Sequence, residues 1–367
     1  MAQLISAKRL PVRAAYRDPF SLVNRLFVGW VCRDRFCVLN EYSPYDLYNE
    51  LGEGEKAALA YKDADPINIK AAIDKRAQSI IEKHDRVTVS WSGGVDSTAV
   101  VTSFLKNGLD PKNLTILASS SSEEEYPYFY KYLQDIGVNY IKSETVCADF
   151  DNVDAGALVT GWCADQLFGS NIHLRNLNWY HMSWMEGVAL AFKDRGIDVE
   201  AHELAQIKEA FSEYAEKLGF QLEQFCEFAF LFNFGVKWSY VSQEPQMSVT
   251  KQSIRNRTYN FFDTVEFQHF ALQNYSNIRE HNANRYLVYY KRPLKEYIYS
   301  FTNDDYYFGW KGKQNSWALT KDKSTTVGVL DTDGYHSFEM KGQPIAPDYR
   351  RLMNAVAKKY LKGDSNE

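Results

Sequence analysis

Short apolar runs alternate with amphipathic segments along residues 65–160 of this 367-residue chain. The runs at 87–91 and 114–118 have the length and composition of buried strands, and the runs at 138–141 and 157–160 predict two further short strands. The pattern of apolar residues around them predicts helices over 66–83, 98–107 and 128–136. Strands that alternate with helices indicate a doubly wound, parallel α/β sheet, on which ligands bind beyond the carboxyl ends of the strands.

The rest of the chain divides into segments of different character. Residues 1–64 predict an N-terminal extension with a short hairpin, followed by the α/β domain over 65–178. Residues 179–340 predict a helical, aromatic-rich region that completes the substrate side of the molecule. Within it, residues 301–340 are expected to form loops with one short helix. Residues 341–367 predict an amphipathic C-terminal helix and a tail.

Charge and composition narrow the classes of function. The formal net charge is −5, so no basic field over the whole chain attracts nucleic acid. Five cysteines without Cys-x-x-Cys spacing argue against a disulfide framework and a structural zinc site. No apolar run reaches the length of a membrane span, and the N-terminus lacks a signal-peptide core. We therefore expect a cytoplasmic protein with no membrane partner.

A glycine-rich turn at 92–97 joins the first predicted strand to the helix at 98–107. Glycines let the backbone approach a phosphate closely, and the amides at the helix start face the anion. The turn lacks the lysine of a P-loop. It resembles instead the PP-loop of enzymes that cleave ATP between the α and β phosphates. The six residues expected to bind ATP are Ser92, Gly93, Gly94, Val95, Asp96 and Ser97.

A second motif follows the fourth predicted strand. Residues 157–170 combine an apolar strand with Gly161, Asp165 and a Leu-Phe-Gly sequence. Together with the turn at 92–97, they resemble the synthetase domain of asparagine synthetase and its β-lactam-forming relatives. That resemblance covers about residues 66–320, and it implies that Asp96 and Asp165 share Mg²⁺ on the phosphates of ATP. For each aspartate, the alternative is a simple helix N-cap.

The carboxyl ends of parallel strands meet at one edge of a sheet, so we expect three further residues at the nucleotide site. Thr160 and Gly161 follow the fourth strand, and Ser119 follows the second. Ser119 opens a polar stretch to residue 125 that we expect to be a loop beside adenine or ribose. A plain surface loop is the alternative for this stretch.

Two further segments match the synthetase family more weakly. Residues 257–263 resemble its Arg-x-Pro-Phe-Leu-Asp segment, and residues 311–319 take the place of its Lys-x-x-Leu-Arg-x-Ala helix. This alignment implies that Lys313, or else Lys311, stabilises the transition state at the α-phosphate; a solvated surface lysine is the alternative. Glu266, Asp263 and the nearby tyrosines are candidates for the base that activates an amine.

The chain also departs from the family pattern. Gln166 stands where the family has Glu, and Cys163 stands where it has its second Gly. A thiol nucleophile at Cys163, with Cys147 as its partner, is the alternative to a small apolar filler. Residue 2 is Ala and only about ninety residues precede the loop, so we expect no glutaminase activity.

The resemblance implies an AMP- and pyrophosphate-forming synthetase. A small-molecule carboxylate would attack the α-phosphorus of ATP, and an amine or ammonia, free or from a separate ammonia-supplying partner, would displace AMP. The first alternative is adenylation of a nucleobase in RNA or DNA for amine or sulfur transfer. The second is a non-catalytic nucleotide-binding descendant, which the departures at Gln166 and Cys163 would explain.

Overall fold

The computed structural model describes a little over half of the chain. The described residues are 60–143, 150–153, 155–168, 179–194, 198–241, 245, 249, 251–275, 291–310, 325–331 and 334–340. The predicted N-terminal hairpin, the C-terminal helix, Cys147, Lys311 and Lys313 lie outside them. The chain divides into two compact units, one formed by 56–168 and 245–321 and the other by 1–55, 169–244 and 322–367.

A five-stranded parallel sheet forms the first unit. Its strands are β1 (Val87–Ser90), β2 (Leu114–Ala118), β3 (Asn139–Lys142), β4 (Ala157–Thr160) and β5 (Thr258–Asn260). The strand order is β3-β2-β1-β4-β5, and every neighbouring pair is parallel. The predicted α/β class is therefore confirmed. The short fifth strand was not predicted.

The strand order places a switch point between β1 and β4. The chain moves outward from β1 through β2 to β3 and then returns to the other side of β1 at β4. In β1 and β4 every residue is buried, because the central strands of a parallel sheet are covered on both faces. Their register aligns Ser90 with Thr160, so the turns that follow the two strands start side by side.

Helices connect and cover the strands of this unit. They are α1 (Ile69–Ile81), α2 (Val95–Lys106), α3 (Ser120–Glu125), α4 (Pro127–Asp135), α5 (Ala164–Leu167), α10 (Gln252–Arg255), α11 (Val265–Gln273), α12 (Arg292–Thr302) and α13 (Asp305–Trp310), numbered along the whole chain. The predicted helix at 66–83 begins only at Ile69, because the Asn68 side chain accepts hydrogen bonds from the amides of Lys70 and Ala71.

Two predictions of loop structure are wrong. Residues 120–125 form α3, which a capping box between Ser119 and Ser122 begins. The segment 301–340 contains the one short helix expected, but it also contains an antiparallel hairpin of β6 (Thr325–Asp331) and β7 (Gly334–Met340). The alternating apolar residues Val327 and Val329 are typical of such a strand.

The second unit is described mainly by its helices. These are α6 (Trp184–Asp194), α7 (Ala201–Leu218), α8 (Phe225–Leu231) and α9 (Trp238–Val241), with a π-helical turn at Phe232–Lys237 between the last two. Aromatic rings fill the space between them: Trp184 and Phe211 both pack on Phe228. Among the described residues, no helix is long and apolar enough to cross a membrane.

Candidate functional site

The turn between β1 and α2 is closely packed around Gly93. This residue has φ +73°, in the left-handed region that glycine adopts without a steric penalty. A Cβ atom at Gly93 would lie 2.6 Å from the carbonyl oxygen of Ser122 and 2.8 Å from Cβ of Glu125. The backbone therefore approaches α3 more closely than any residue with a side chain allows.

Two serine hydroxyls hold the shape of this turn. Ser97 Oγ accepts from the amide of Ser92 at 3.0 Å and lies 3.1 Å from Ser92 Oγ. The amide of Gly94 in turn donates to Ser92 Oγ at 3.3 Å. Gly94 is the N-cap of α2 and has no side chain that could cap the amides at the helix start. Asp96 lies in the first turn of α2, so it is not the N-cap.

The turn after β4 packs directly against the start of α2. A Cβ at Gly161 would lie 2.8 Å from the amide nitrogen of Ser97 and 2.9 Å from the carbonyl carbon of Asp96. Thr160 Oγ1 donates to Asn260 Oδ1 of β5 at 2.9 Å. Asp165 follows in the first turn of α5, whose N-cap is Cys163. Neither aspartate is thus a helix cap.

One buried lysine brings the two aspartates together. Lys291 Nζ lies 2.6 Å from Asp165 Oδ1 and also forms an ion pair with the Asp96 carboxylate. The Lys291 side chain is 5% exposed, whereas the two aspartate side chains are 26% and 28% exposed. The carboxylates therefore keep access to solvent on one side, while the ammonium is enclosed.

Lys291 has an uncommon backbone conformation for a residue with a long side chain. Its φ is +53°, in the left-handed region, and it precedes α12 directly. Residues other than glycine are seldom found there, and such outliers occur often at functional sites. The amides of Leu294 and Lys295 donate to the Lys291 carbonyl, which holds the residue at the helix start.

The charges of this cluster shift the pKa values of two lysines in opposite directions. Burial lowers the pKa of Lys291, but Asp165 and Asp96 outweigh it, so its pKa is raised above the usual value. Lys295, one helical turn further along α12, is 2% exposed. Burial, and then the charge of Lys291, lower the pKa of Lys295 to about 8.

The two carboxylates fit a magnesium ion that also binds phosphate. Asp96 and Asp165 already contact the same ammonium, so they are close enough to share one cation. Mg²⁺ in proteins commonly takes one or two carboxylates and completes its octahedral shell with water and substrate phosphates. In the part of the chain that the structure describes, no group of three or more His, Cys, Asp or Glu side chains forms an all-protein metal site.

The other predicted site residues are located as follows. Ser119 is the N-cap of α3, and its amide donates to Ser122 Oγ at 3.2 Å. Glu266 of α11 accepts a 2.6 Å hydrogen bond from Lys75 of α1. Burial raises the Glu266 pKa, but the hydrogen bond and the charge of Lys75, together with hydrogen bonds from the backbone and Thr264, leave the pKa below its usual value. Glu266 is therefore held in an ion pair with α1. The amide of Asp263 donates to the Asn260 carbonyl.

Lys291 is the site residue that the sequence prediction missed. The sequence does contain a signal for this residue. The pattern Lys-x-x-Leu-Arg matches Lys291, Leu294 and Lys295, with lysine in place of the arginine. The prediction assigned that spacing to residues 311–319, where the match is poorer. The structure brings Lys291 to Asp96 across 195 positions of sequence.

The two departures from the family pattern are both buried. Cys163 is 1% exposed and has φ +74°, which explains why a glycine is favoured at that position. Gln166 is also 1% exposed and lies between Asp165 and Leu167 in α5. Both side chains are therefore part of the buried packing around α5.

Comparison with models of known protein families gave no match to this chain, and a search of curated proteins found no significant relative.

Proposed function

We propose that this protein is an ATP-dependent synthetase that adenylates a small-molecule carboxylate, releases pyrophosphate and transfers the acyl group to an amine or ammonia. The observation that carries the proposal is the cluster of Asp96, Asp165 and Lys291 beside the glycine turn after β1. The cluster lies at the switch point of a parallel sheet, where such folds bind ligands.

The start of α2 supplies the groups that a pyrophosphate needs. The first residues of α2 carry the amides that point out of the helix start, and the helix dipole favours an anion there. The hydroxyls of Ser92 and Ser97 lie 3.1 Å apart at the same turn. These groups would bind the β and γ phosphates and stabilise the charge that builds on them as they leave.

Lys291 is the residue proposed to act at the α-phosphate. Its ammonium is enclosed and stays protonated, because the two aspartates raise its pKa. A fixed positive charge beside the reacting phosphorus stabilises the additional negative charge of the transition state. The family alignment implied this role for Lys313 or Lys311, which lie outside the described residues, and we assign it here to Lys291.

Asp96 and Asp165 would hold Mg²⁺ through their solvent-accessible oxygens. When bound, the ion would neutralise charge on the phosphates of ATP. Lys291 pairs with both carboxylates in the structure, and its ammonium would be available to the substrate phosphate once Asp96 and Asp165 hold the cation.

The products of ATP cleavage test this proposal. Purified protein is incubated with ATP, Mg²⁺, ammonium and a pool of small carboxylates, or with mixed RNA and DNA in place of the carboxylates. AMP and pyrophosphate in equal amounts, formed only with the carboxylate pool, would support the synthetase. AMP formed only with nucleic acid would favour nucleobase adenylation, and ATP binding without turnover in either pool would favour a non-catalytic protein.

A further inference from the structure

A tyrosine from the end of the first unit contacts the glycine turn. The Tyr307 hydroxyl of α13 donates to the carbonyl oxygen of Gly93 at 3.3 Å. Tyr307 is 2% exposed, and its hydroxyl also shares a hydrogen bond with Thr98 of α2. Burial raises the pKa of Tyr307 well above its usual value, so the hydroxyl keeps the proton that it donates.

The position of this bond fixes the orientation of one peptide unit. The Gly93 carbonyl and the Gly94 amide belong to the same planar peptide, in which C=O and N–H point in opposite directions. Tyr307 binds the carbonyl on one side, and Ser92 Oγ accepts from the Gly94 amide on the other. Glycine at both positions has no side chain that restricts the peptide, so these two contacts help to fix its orientation.

Tyr307 is itself held in place by its neighbours. Its ring stacks on Tyr126 with centroids 3.9 Å apart, and its amide donates to Asp304 Oδ1 at 2.9 Å. The second oxygen of Asp304 accepts from the Tyr126 hydroxyl, also at 2.9 Å. The three residues therefore form a closed network that sets where the Tyr307 hydroxyl lies.

We propose that Tyr307 is a positioning residue. By binding the Gly93 carbonyl it fixes the Gly93–Gly94 peptide, and with it the Ser92 hydroxyl that the Gly94 amide contacts, at the turn where the phosphates of a bound nucleotide would lie. This inference rests on the proposed function, because it assumes that the turn binds the β and γ phosphates. Tyr307 does not touch the nucleotide itself. Its effect should therefore appear in the binding of polyphosphates and not in the binding of AMP.

Calorimetry with two nucleotides tests this role. The probes are AMP and the magnesium complex of α,β-methylene-ATP, which the enzyme cannot cleave between the α and β phosphates. Tyr307→Phe removes the hydroxyl but keeps the ring stacked on Tyr126. Tyr297→Phe is the matched control, because it removes another buried tyrosine hydroxyl, which donates to Asp74 instead of the turn.

Tyr307→Phe and Tyr297→Phe should differ only in their affinity for magnesium α,β-methylene-ATP. We expect Tyr307→Phe to bind magnesium α,β-methylene-ATP about tenfold more weakly than the wild type, the size of one lost hydrogen bond, with AMP affinity unchanged. Tyr297→Phe should bind both as the wild type does. Equal affinities in Tyr307→Phe and the wild type, or a parallel loss for AMP, would overturn the positioning role alone. A wild-type protein that binds neither probe would overturn the proposed function and this inference with it.

Discussion

Lys291 Nζ lies 2.6 Å from Asp165 Oδ1. This ion pair links the start of α12 to the segment that follows β4. The same ammonium pairs with Asp96 at the start of α2. One buried cation thus joins three elements that are distant in sequence. The two carboxylates carry one more charge than the single ammonium that pairs with them. The cluster of these three side chains is therefore negative, which suits a further cation.

Asp96→Asn should remove catalysis without unfolding the protein. The substitution takes one carboxylate from a shared cation site, and we expect pyrophosphate release to fall by about a hundredfold or more. Asp165 remains to balance Lys291, so the circular dichroism spectrum should not change. Asp135→Asn is the control, since Asp135 is an exposed residue paired with Lys131 on α4. Near-normal turnover in Asp96→Asn would contradict the assigned role.

Gly93→Ala should lower the free energy of unfolding more than Gly108→Ala does, although both glycines have a left-handed backbone. Gly93 and Gly108 have φ +73° and +83°, so alanine is strained at both by roughly 1 kcal/mol. A Cβ at Gly108 meets nothing within 4 Å, whereas a Cβ at Gly93 meets the Ser122 carbonyl at 2.6 Å. We expect urea denaturation to give a loss larger by about 2 kcal/mol for Gly93→Ala. Equal losses would show that the turn is not closely packed.

Cys163→Gly should keep both stability and activity. Glycine relieves the strain of φ +74° but removes a buried side chain, so the free energy of unfolding should stay within about 1 kcal/mol of the wild type. Cys163→Val, which is β-branched, should lose about 2 kcal/mol in the same assay. Retained pyrophosphate release in Cys163→Gly would exclude a thiol nucleophile, while its complete loss in a folded variant would support one.

Lys295 should make stability depend on pH in the alkaline range. Its pKa is lowered to about 8 in the folded protein, against an ordinary value of 10.5. Between these values the unfolded chain holds a proton that the folded protein has lost, so the free energy of unfolding rises with pH. Relative to Lys295→Met, the wild type should gain up to about 3 kcal/mol between pH 8 and 10. Urea denaturation at both pH values checks this, and parallel behaviour of the two proteins would contradict it.

The sheet and the two carboxylates could be predicted because their signals are local. The central strands β1, β2 and β4 are short apolar runs, and parallel pairing brings the residues after β1 and β4 to one edge. The strand β5 has only three residues, Thr-Tyr-Asn, and no periodic pattern marks it. Similarly, the serine and glutamate residues of α3 are typical of a loop, and only the capping box at Ser119 indicates a helix.

The position of Lys291 could not be predicted from local pattern. Its contact with Asp96 spans 195 positions, and it depends on a left-handed backbone that the residue type does not favour. The spacing of Lys291, Leu294 and Lys295 resembles the Lys-x-x-Leu-Arg pattern of the synthetase family, but nothing in the spacing shows which carboxylates Lys291 meets. Tyr307 gives even less signal, because a single tyrosine in an aromatic segment is more often part of the core.

Exchange of labelled pyrophosphate into ATP tests the central claim most directly. An acyl-adenylate that forms reversibly carries ³²P from pyrophosphate back into ATP, and the exchange needs no knowledge of the amine. We expect label in ATP only when Mg²⁺ and the carboxylate pool are both present. Lys291→Met should reduce the exchange about a hundredfold or more, because it removes the charge at the α-phosphate, and Asp135→Asn should leave it unchanged. Exchange that is independent of carboxylate, or equally fast in Lys291→Met and the wild type, would contradict the account.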